Sequence, residues 1–230
     1  PRHEDEYLES HLELWSTTPE GGRILMPGYG WLFGLGDGRS NIGLGVLNTS
    51  EAFGRTDYKD VMRRWVETMP AEWGINEGTI TGEITAAALP MAFNRQPLYA
   101  DGLMLVGDAG GMVNPFNGEG IDYAYETARI AATVLHDALA GNDPTALQRY
   151  SKEIDDTYGE YFKVARLFAR VIGRPALMRE LARVGLHSRT LMEWVLRIMA
   201  NLLRPDEIGP AEAAYKAVAT LVRAVPEPAA

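Results

Sequence analysis

Glycine is distributed so unevenly along this chain that it divides the molecule before any other feature is weighed. Of 24 glycines, 19 lie in residues 1–120 and 5 in residues 121–230. Glycine supplies turns and close backbone approaches, and in a helix interior it costs about 1 kcal/mol relative to alanine. The first half is therefore expected to be strand and loop, and the second half helical. With 230 residues, 46% of them hydrophobic, the chain can bury a sizeable core in one large domain or two small ones.

Apolar spacing refines that division. It predicts a strand at Leu12–Trp15, a longer one over Arg23–Leu35, and an antiparallel return at Asn41–Leu47 across the turn Gly36-Asp37-Gly38-Arg39-Ser40. A helix is expected over Tyr58–Met69, through Val61, Trp65 and Met69, stopped by Pro70. Thr79–Leu89 reads as a further strand and Leu103–Val106 as a short buried one. Helices are expected at 120–140, 144–172, 175–184, 188–203 and 211–224, and only the tail Pro226–Ala230 reads as disordered. The fold class is α+β.

Composition removes whole classes of function. A net charge of −9 and a pI near 5.0 argue against nucleic acid as a partner. The absence of cysteine excludes disulfide scaffolds, zinc fingers, iron–sulfur clusters and thiol nucleophiles. The four histidines, His3, His11, His136 and His187, show no metal-ligand spacing, and there is no His-Glu-x-x-His or Gly-x-Ser-x-Gly. No metal site is expected, and no run of about 18 apolar residues could span a bilayer.

The most informative segment runs from Leu103 through Gly107-Asp108-Ala109-Gly110-Gly111 to Pro115, Phe116, Asn117, Gly118, Glu119, Gly120 and Ile121. It reads strand, glycine-rich loop, helix. Asp108 stands where the strand stops, a position suited to accepting hydrogen bonds from ligand hydroxyls. Gly118 and Gly120 remove side chains just before a helix, whose first N–H groups are unsatisfied and carry partial positive charge. Such a start stabilises an anion or an electron-rich ring edge. The plain alternative is a turn that merely joins a strand to a packed helix. The fixed spacing of Pro115 and Gly118-x-Gly120 behind the Gly-Asp pair favours ligand binding.

This segment resembles the second FAD-binding motif of flavoproteins shaped like para-hydroxybenzoate hydroxylase, and the chain as a whole resembles the C-terminal part of the geranylgeranyl reductase family. The resemblance implies FAD as cofactor, held by Gly107, Asp108, Pro115, Gly118, Gly120 and Ile121, with Asp108 on the ribityl chain and Gly118–Ile121 at the pyrimidine edge. Pro115 and Phe116 would shape the loop beside the ring. Such flavoproteins also carry a Gly-x-Gly-x-x-Gly turn for the FAD pyrophosphate. The pairs beginning at Gly28, Gly34, Gly36, Gly43 and Gly118 all lack the third glycine, and the chain opens Pro1-Arg2-His3 rather than with Met. The expectation is a fragment, inactive alone, whose missing N-terminal half is a partner. Three stretches follow: a substrate-binding sheet domain at 1–98, the C-terminal part of a Rossmann-like FAD domain at 99–141, and a helical domain at 142–230.

A second constellation is Pro27-Gly28-Tyr29-Gly30-Trp31-Leu32-Phe33-Gly34. Residues two apart in a strand share a face, so Tyr29, Trp31 and Phe33 line one side. They form either an ordinary core stripe or the wall of a long apolar channel. The segment is similar to the Tyr-x-Trp-x-Phe signature of geranylgeranyl reductases, which implies a wall for a prenylated small-molecule substrate. Gly34 stands where that signature has Pro. Tyr29, an O–H on that wall, is the candidate proton donor.

Residues 166–204 carry eight arginines, from Arg166 to Arg204, against Glu180 and Glu193 only. Together with the apolar positions between 188 and 204, the stretch 163–204 suggests contact with an anionic membrane surface. The alternative is a helical cap with its arginines in solvent. The expected location is cytoplasmic, peripheral on the inner membrane face. The leading expectation is an FAD-dependent oxidoreductase saturating isoprenoid double bonds of a prenylated, menaquinone-like quinone or a geranylgeranyl lipid. The alternatives are a flavin monooxygenase or halogenase of the same superfamily, and a non-catalytic membrane-associating helical module.

Overall fold

The structure, a computed structural model, describes residues 6–17, 20–48, 53–203 and 207–223. The expected loose tail, His3 and Arg204 lie outside the described residues. The chain separates into two compact units, one running to Ala87 and including Arg170–His187, the other made of Ala88–Ala169 and the residues from Ser188 onward. These units are cut differently from the three stretches expected from the motifs.

The first unit is built on short antiparallel strands: β1 (Leu8–His11), β2 (Leu14–Thr17), β3 (Arg23–Met26), β4 (Gly28–Gly34) and β5 (Ser40–Val46). They form a three-stranded sheet ordered β1-β4-β5 and a β2-β3 hairpin. The single long strand expected over 23–35 is two strands, broken at Pro27, which lacks the N–H a ladder needs. The return turn is as expected: Gly36 and Gly38 take positive φ, the Leu35 N–H donates to Arg39 O at 2.9 Å, and Arg39 pairs with Asp37 at 2.6 Å.

Helix α1 (Tyr58–Val66) starts where Asp57 accepts from the N–H groups of Lys59 and Asp60 at 2.9 and 3.1 Å. It buries Val61, Trp65 and Val66. Trp65 lies flat against Gly30, joined by Leu14, Met26, Leu32 and Met69 in one core cluster. The expected strand at Thr79–Leu89 does not form. Glu77–Thr79 is a 3₁₀ turn capped by Asn76, and residues 80–90 pair with no strand among the described residues. Gly82 and the run Ala86–Ala88 give that stretch no alternating apolar face to bury.

The second unit contains β6 (Tyr99–Ala100), β7 (Leu103–Met104), α2 (Ile121–Ala140), α3 (Arg149–Ile154), α4 (Glu160–Ile172, whose last residues fall in the first unit), α6 (Arg189–Met199) and α7 (Pro210–Arg223), while α5 (Pro175–Gly185) belongs to the first unit. The expected helix over 144–172 is articulated: a 3₁₀ turn at Pro144–Gln148, then α3, then a π-turn at Asp155–Gly159 before α4. Leu103–Val106 was expected as a buried strand. Only Leu103–Met104 pairs, with β6, and Leu103 is 56% exposed. The core gathers Met112, Val134, Tyr150, Ile154 and Phe162 around a cluster of aromatic rings. Among the described residues no helix is long and apolar enough to cross a membrane.

Candidate functional site

Behind β7 the chain turns through the 3₁₀ segment Gly107–Gly110, where Gly107 and Gly111 both take positive φ. The Gly107 N–H donates to Thr127 Oγ1 at 3.1 Å, and a Cβ on Gly107 would lie 3.0 Å from that of Ala124. Gly107 is thus a packing contact between turn and helix, a role only glycine fills here.

The loop that follows is knitted by two asparagines. Asn114 is fully buried; its Oδ1 accepts from the Phe116 N–H at 2.9 Å, and its Nδ2 donates to Met199 O at 2.9 Å and to the Tyr161 hydroxyl at 3.0 Å. The Asn114 N–H donates to Glu119 O and the Gly118 N–H to Asn114 O, both at 2.8 Å. Asn117 Oδ1 accepts from the Glu119 N–H at 3.0 Å. Burial pushes the Tyr161 hydroxyl up to about 12 and raises that of Tyr123 further, so both stay protonated as neutral donors. Pro115 is buried, and Phe116 packs against Tyr161 and Phe168 rather than beside the cavity.

This bracing leaves a cavity of about 280 Å³ lined by Leu89, Asp108, Val113, Gly118, Gly120, Ile121 and Ala124. Four of the expected cofactor residues, Asp108, Gly118, Gly120 and Ile121, meet there; Gly107 and Pro115 stand behind them. Asp108 is exposed, and among the described residues no donor reaches its carboxylate. A Cβ on Gly120 would crowd Asp108 Oδ1 at 3.1 Å and Val113 Cγ2 at 3.2 Å, so a side chain there would push the Asp108 carboxylate aside by a few tenths of an ångström. An open carboxylate acceptor, a glycine-bared backbone and apolar walls fit a ligand with hydroxyls at one end and a flat ring at the other.

Sequence reasoning missed three cavity residues, Leu89, Val113 and Ala124, and it missed Glu119. The Glu119 carboxylate accepts from the Asp122 N–H at 2.8 Å, filling part of the vacant helix start. Burial raises its pKa, opposed by that hydrogen bond. The glutamate between two glycines ahead of a helix was the available signal.

In the other unit the aromatic strand resolves into two faces. Gly28, Gly30 and Leu32 face the core with Ile42, Leu44 and Val46, and Trp65 fills the space over Gly30. Tyr29, Trp31 and Phe33 stand on the opposite face, half-buried, paired with Gly45, Gly43 and Asn41. The Trp31 ring lies across Gly43, its indole N–H donating to Asn41 Oδ1 at 2.8 Å, and the Tyr29 and Trp31 centroids are 6.0 Å apart. These rings are therefore not the packed core of their sheet.

The fold and the loop define a mixed helix-and-sheet protein with a glycine-bared cavity ahead of a long helix. No family model matches the chain. It is 36% identical over 208 residues to a menaquinone reductase of Mycobacterium tuberculosis, covering 89% of this chain and 47% of that protein. It is 32% identical over 140 residues to a digeranylgeranylglycerophospholipid reductase of Methanopyrus kandleri, covering 60% of this chain and 35% of the relative. A solved geranylgeranyl bacteriochlorophyll reductase-like protein of Thermoplasma acidophilum has a similar fold, with TM-score 0.55 and 21% identity over 97% of this chain and 55% of that one. These relatives bear out the resemblance to the geranylgeranyl reductase family. The chain spans about half the length of the curated menaquinone reductases it matches.

Proposed function

We propose that this chain is the substrate- and ring-binding part of an FAD-dependent reductase that saturates isoprenoid double bonds, with a prenylated, menaquinone-like quinone as its substrate. The observation that carries the reading is the cavity in which an unpartnered Asp108 carboxylate and the bare backbone of Gly118 and Gly120 converge. Its donor set fits the cofactor: Asp108 would accept from the ribityl hydroxyls, and the backbone of Gly118–Ile121 would hold the pyrimidine edge. Bound and reduced, the flavin supplies hydride to an isoprene carbon. The half-buried face of Tyr29, Trp31 and Phe33 binds the prenyl chain, and the Tyr29 hydroxyl is the candidate proton donor. The quinone is favoured over a lipid by a modest margin of likeness: the menaquinone reductase of Mycobacterium tuberculosis is 36% identical over 89% of the chain, against 30% over 80% for a digeranylgeranylglycerophospholipid reductase of Methanothermobacter thermautotrophicus.

The partner this reading needs is a segment bearing the dinucleotide pyrophosphate turn. The α2 helix offers it a surface: Ile121, Tyr125, Leu135 and Leu139 are 73%, 77%, 43% and 72% exposed, spaced to share one face. The stretch 163–204 is the part of the sequence proposed to meet anionic lipid, each unit contributing its own exposed positions. Within it Leu177, Leu181 and Val184 share an exposed face of α5, while Leu191 and Leu196 are exposed on α6.

The test is a flavin absorbance spectrum of this chain beside a version extended to the relatives' length. Yellow protein in the extended form, lost on Asp108→Ala, is the expected result. Colourless protein in both forms, or undiminished FAD in Asp108→Ala, overturns the reading.

A further inference from the structure

Leu89 stands out among the residues that line the cavity. It is a large apolar side chain, 46% exposed, on a stretch with no secondary structure, and its Cδ1 lies 4.0 Å from where a Cβ on Gly118 would be. Nothing in its own segment explains its position, because residues 85–88 around it are exposed as well. The explanation lies just after it.

Pro90 confines the Leu89 backbone to extended conformations and fixes its own φ. Met91 then pairs with Val113 in a parallel bridge, the Ala92 N–H donates to Val113 O at 3.1 Å, and the Phe93 N–H donates to Gly111 O at 2.9 Å. Ala92 and Phe93 adopt left-handed backbone, φ 58 and 57, a conformation disfavoured for residues with a Cβ. Two outside contacts hold them there. The Phe93 ring is 4.5 Å from that of Phe162, and Arg166 Nη1 donates to Ala92 O at 2.9 Å. Strained backbone that persists because its surroundings over-determine it is a recurrent feature of ligand clamps. Here the clamp is bolted to Gly111 and Val113, in the same turn-and-loop that carries Asp108 and Gly118. A stiff mount thus projects one apolar side chain over the barest point of the cavity.

We infer that Leu89 is a ligand-contacting residue, packing on the flat ring bound above Gly118 and excluding water from that side. The inference rests on the flavin reading above and adds to it the residue that covers the ring. Because Leu89 is exposed in the chain itself, its truncation leaves the core untouched.

The experiment uses the holoprotein at the relatives' full length, comparing the parent with Leu89→Ala, Leu89→Met and Ile80→Ala. Ile80 is a comparably exposed apolar residue outside the cavity. Leu89→Ala is expected to weaken FAD binding roughly tenfold, about the effect of removing two methylene-sized contacts. It should also move the visible flavin band toward that of free FAD and at least double iodide quenching of flavin fluorescence, by rough estimate from the lost cover. Leu89→Met should restore most of each readout, and Ile80→Ala should leave all three at parent values. A parent without FAD overturns the flavin reading and Leu89 with it. A yellow parent with an indistinguishable Leu89→Ala, or equal effects from Ile80→Ala, overturns the Leu89 assignment alone.

Discussion

Replacing Gly30 by alanine tests which face of β4 is core. An ideal Cβ at that position would lie 2.5, 2.6 and 2.8 Å from three ring carbons of Trp65. Trp65 is buried among Leu14, Met26, Leu32 and Met69 and has no open side to move into. Overpacking of that kind costs about 1–3 kcal/mol, and the reduced freedom of the unfolded chain returns about 0.4–1 kcal/mol. The expected net loss is about 1–2 kcal/mol, or roughly 2–8 °C in Tm for a chain of this size. Gly43→Ala is the matched control on the other face. Its Cβ would be closer still, 2.0 Å from Trp31 Cζ2, but Trp31 is only half-buried and its ring can swing outward. That swing costs the hydrogen bond to Asn41, about 0.5–1.5 kcal/mol, nearly cancelled by the same chain-entropy gain. Urea melts followed by far-UV circular dichroism read both variants. If Gly43→Ala loses as much stability as Gly30→Ala, the aromatic face is a packed core after all, and its role as a substrate wall is refuted.

Asn114→Ala should cost about 1–3 kcal/mol in the same melts, because it leaves the buried Phe116 N–H without its acceptor, while the Tyr161 hydroxyl and Met199 O keep each other as partners at 2.9 Å. Arg197→Ala should cost about 3–5 kcal/mol by stranding the buried Glu212 carboxylate, and Arg197→Met with Glu212→Leu should recover most of it; equal losses in single and double variants would count against the pair. Burial lifts the Glu119 carboxyl above its ordinary value of 4.5, so the native state holds that proton to higher pH than the unfolded chain. Stability must therefore fall as pH rises from 4.5 through the raised value, and Glu119→Gln should flatten that decline in melts between about pH 4 and 7.

Local chemistry made most of the elements legible. The turn glycines Gly36 and Gly38 and the helix start at Gly120 act as their residue types require. Errors arose where tertiary context decides. The stretch 79–89 has strand-like threonines and isoleucines but no neighbour to pair with, and a strand without a ladder partner does not form. The π-turn at Asp155–Gly159 lets Tyr158, Tyr161 and Phe162 all face inward, a choice that no 3.6-residue period announces. The two faces of β4 could be separated by alternation. Which one was core depended on Trp65, thirty-five positions beyond Gly30.

The cavity shows the same boundary between local and distant information. Asp108, Gly118, Gly120 and Ile121 belong to one contiguous motif, so spacing alone could assemble them. Leu89 reaches them only through a left-handed turn held by Arg166 and Phe162, residues more than seventy positions away. The structure also revises the electrostatics of the motif. Unsatisfied N–H groups at a helix start carry its positive charge, and the Glu119 carboxylate already takes that of Asp122. The field that α2 offers to a ring edge is therefore reduced by its own glutamate. Under the proposed reading, what remains for recognition is short-range: the Asp108 carboxylate, the bare backbone at Gly118 and Gly120, and the apolar surfaces of Val113, Ile121 and Leu89. Such a site selects by shape and hydrogen bonding more than by charge, and this selection suits a neutral, flat, hydroxyl-bearing ligand better than a simple anion.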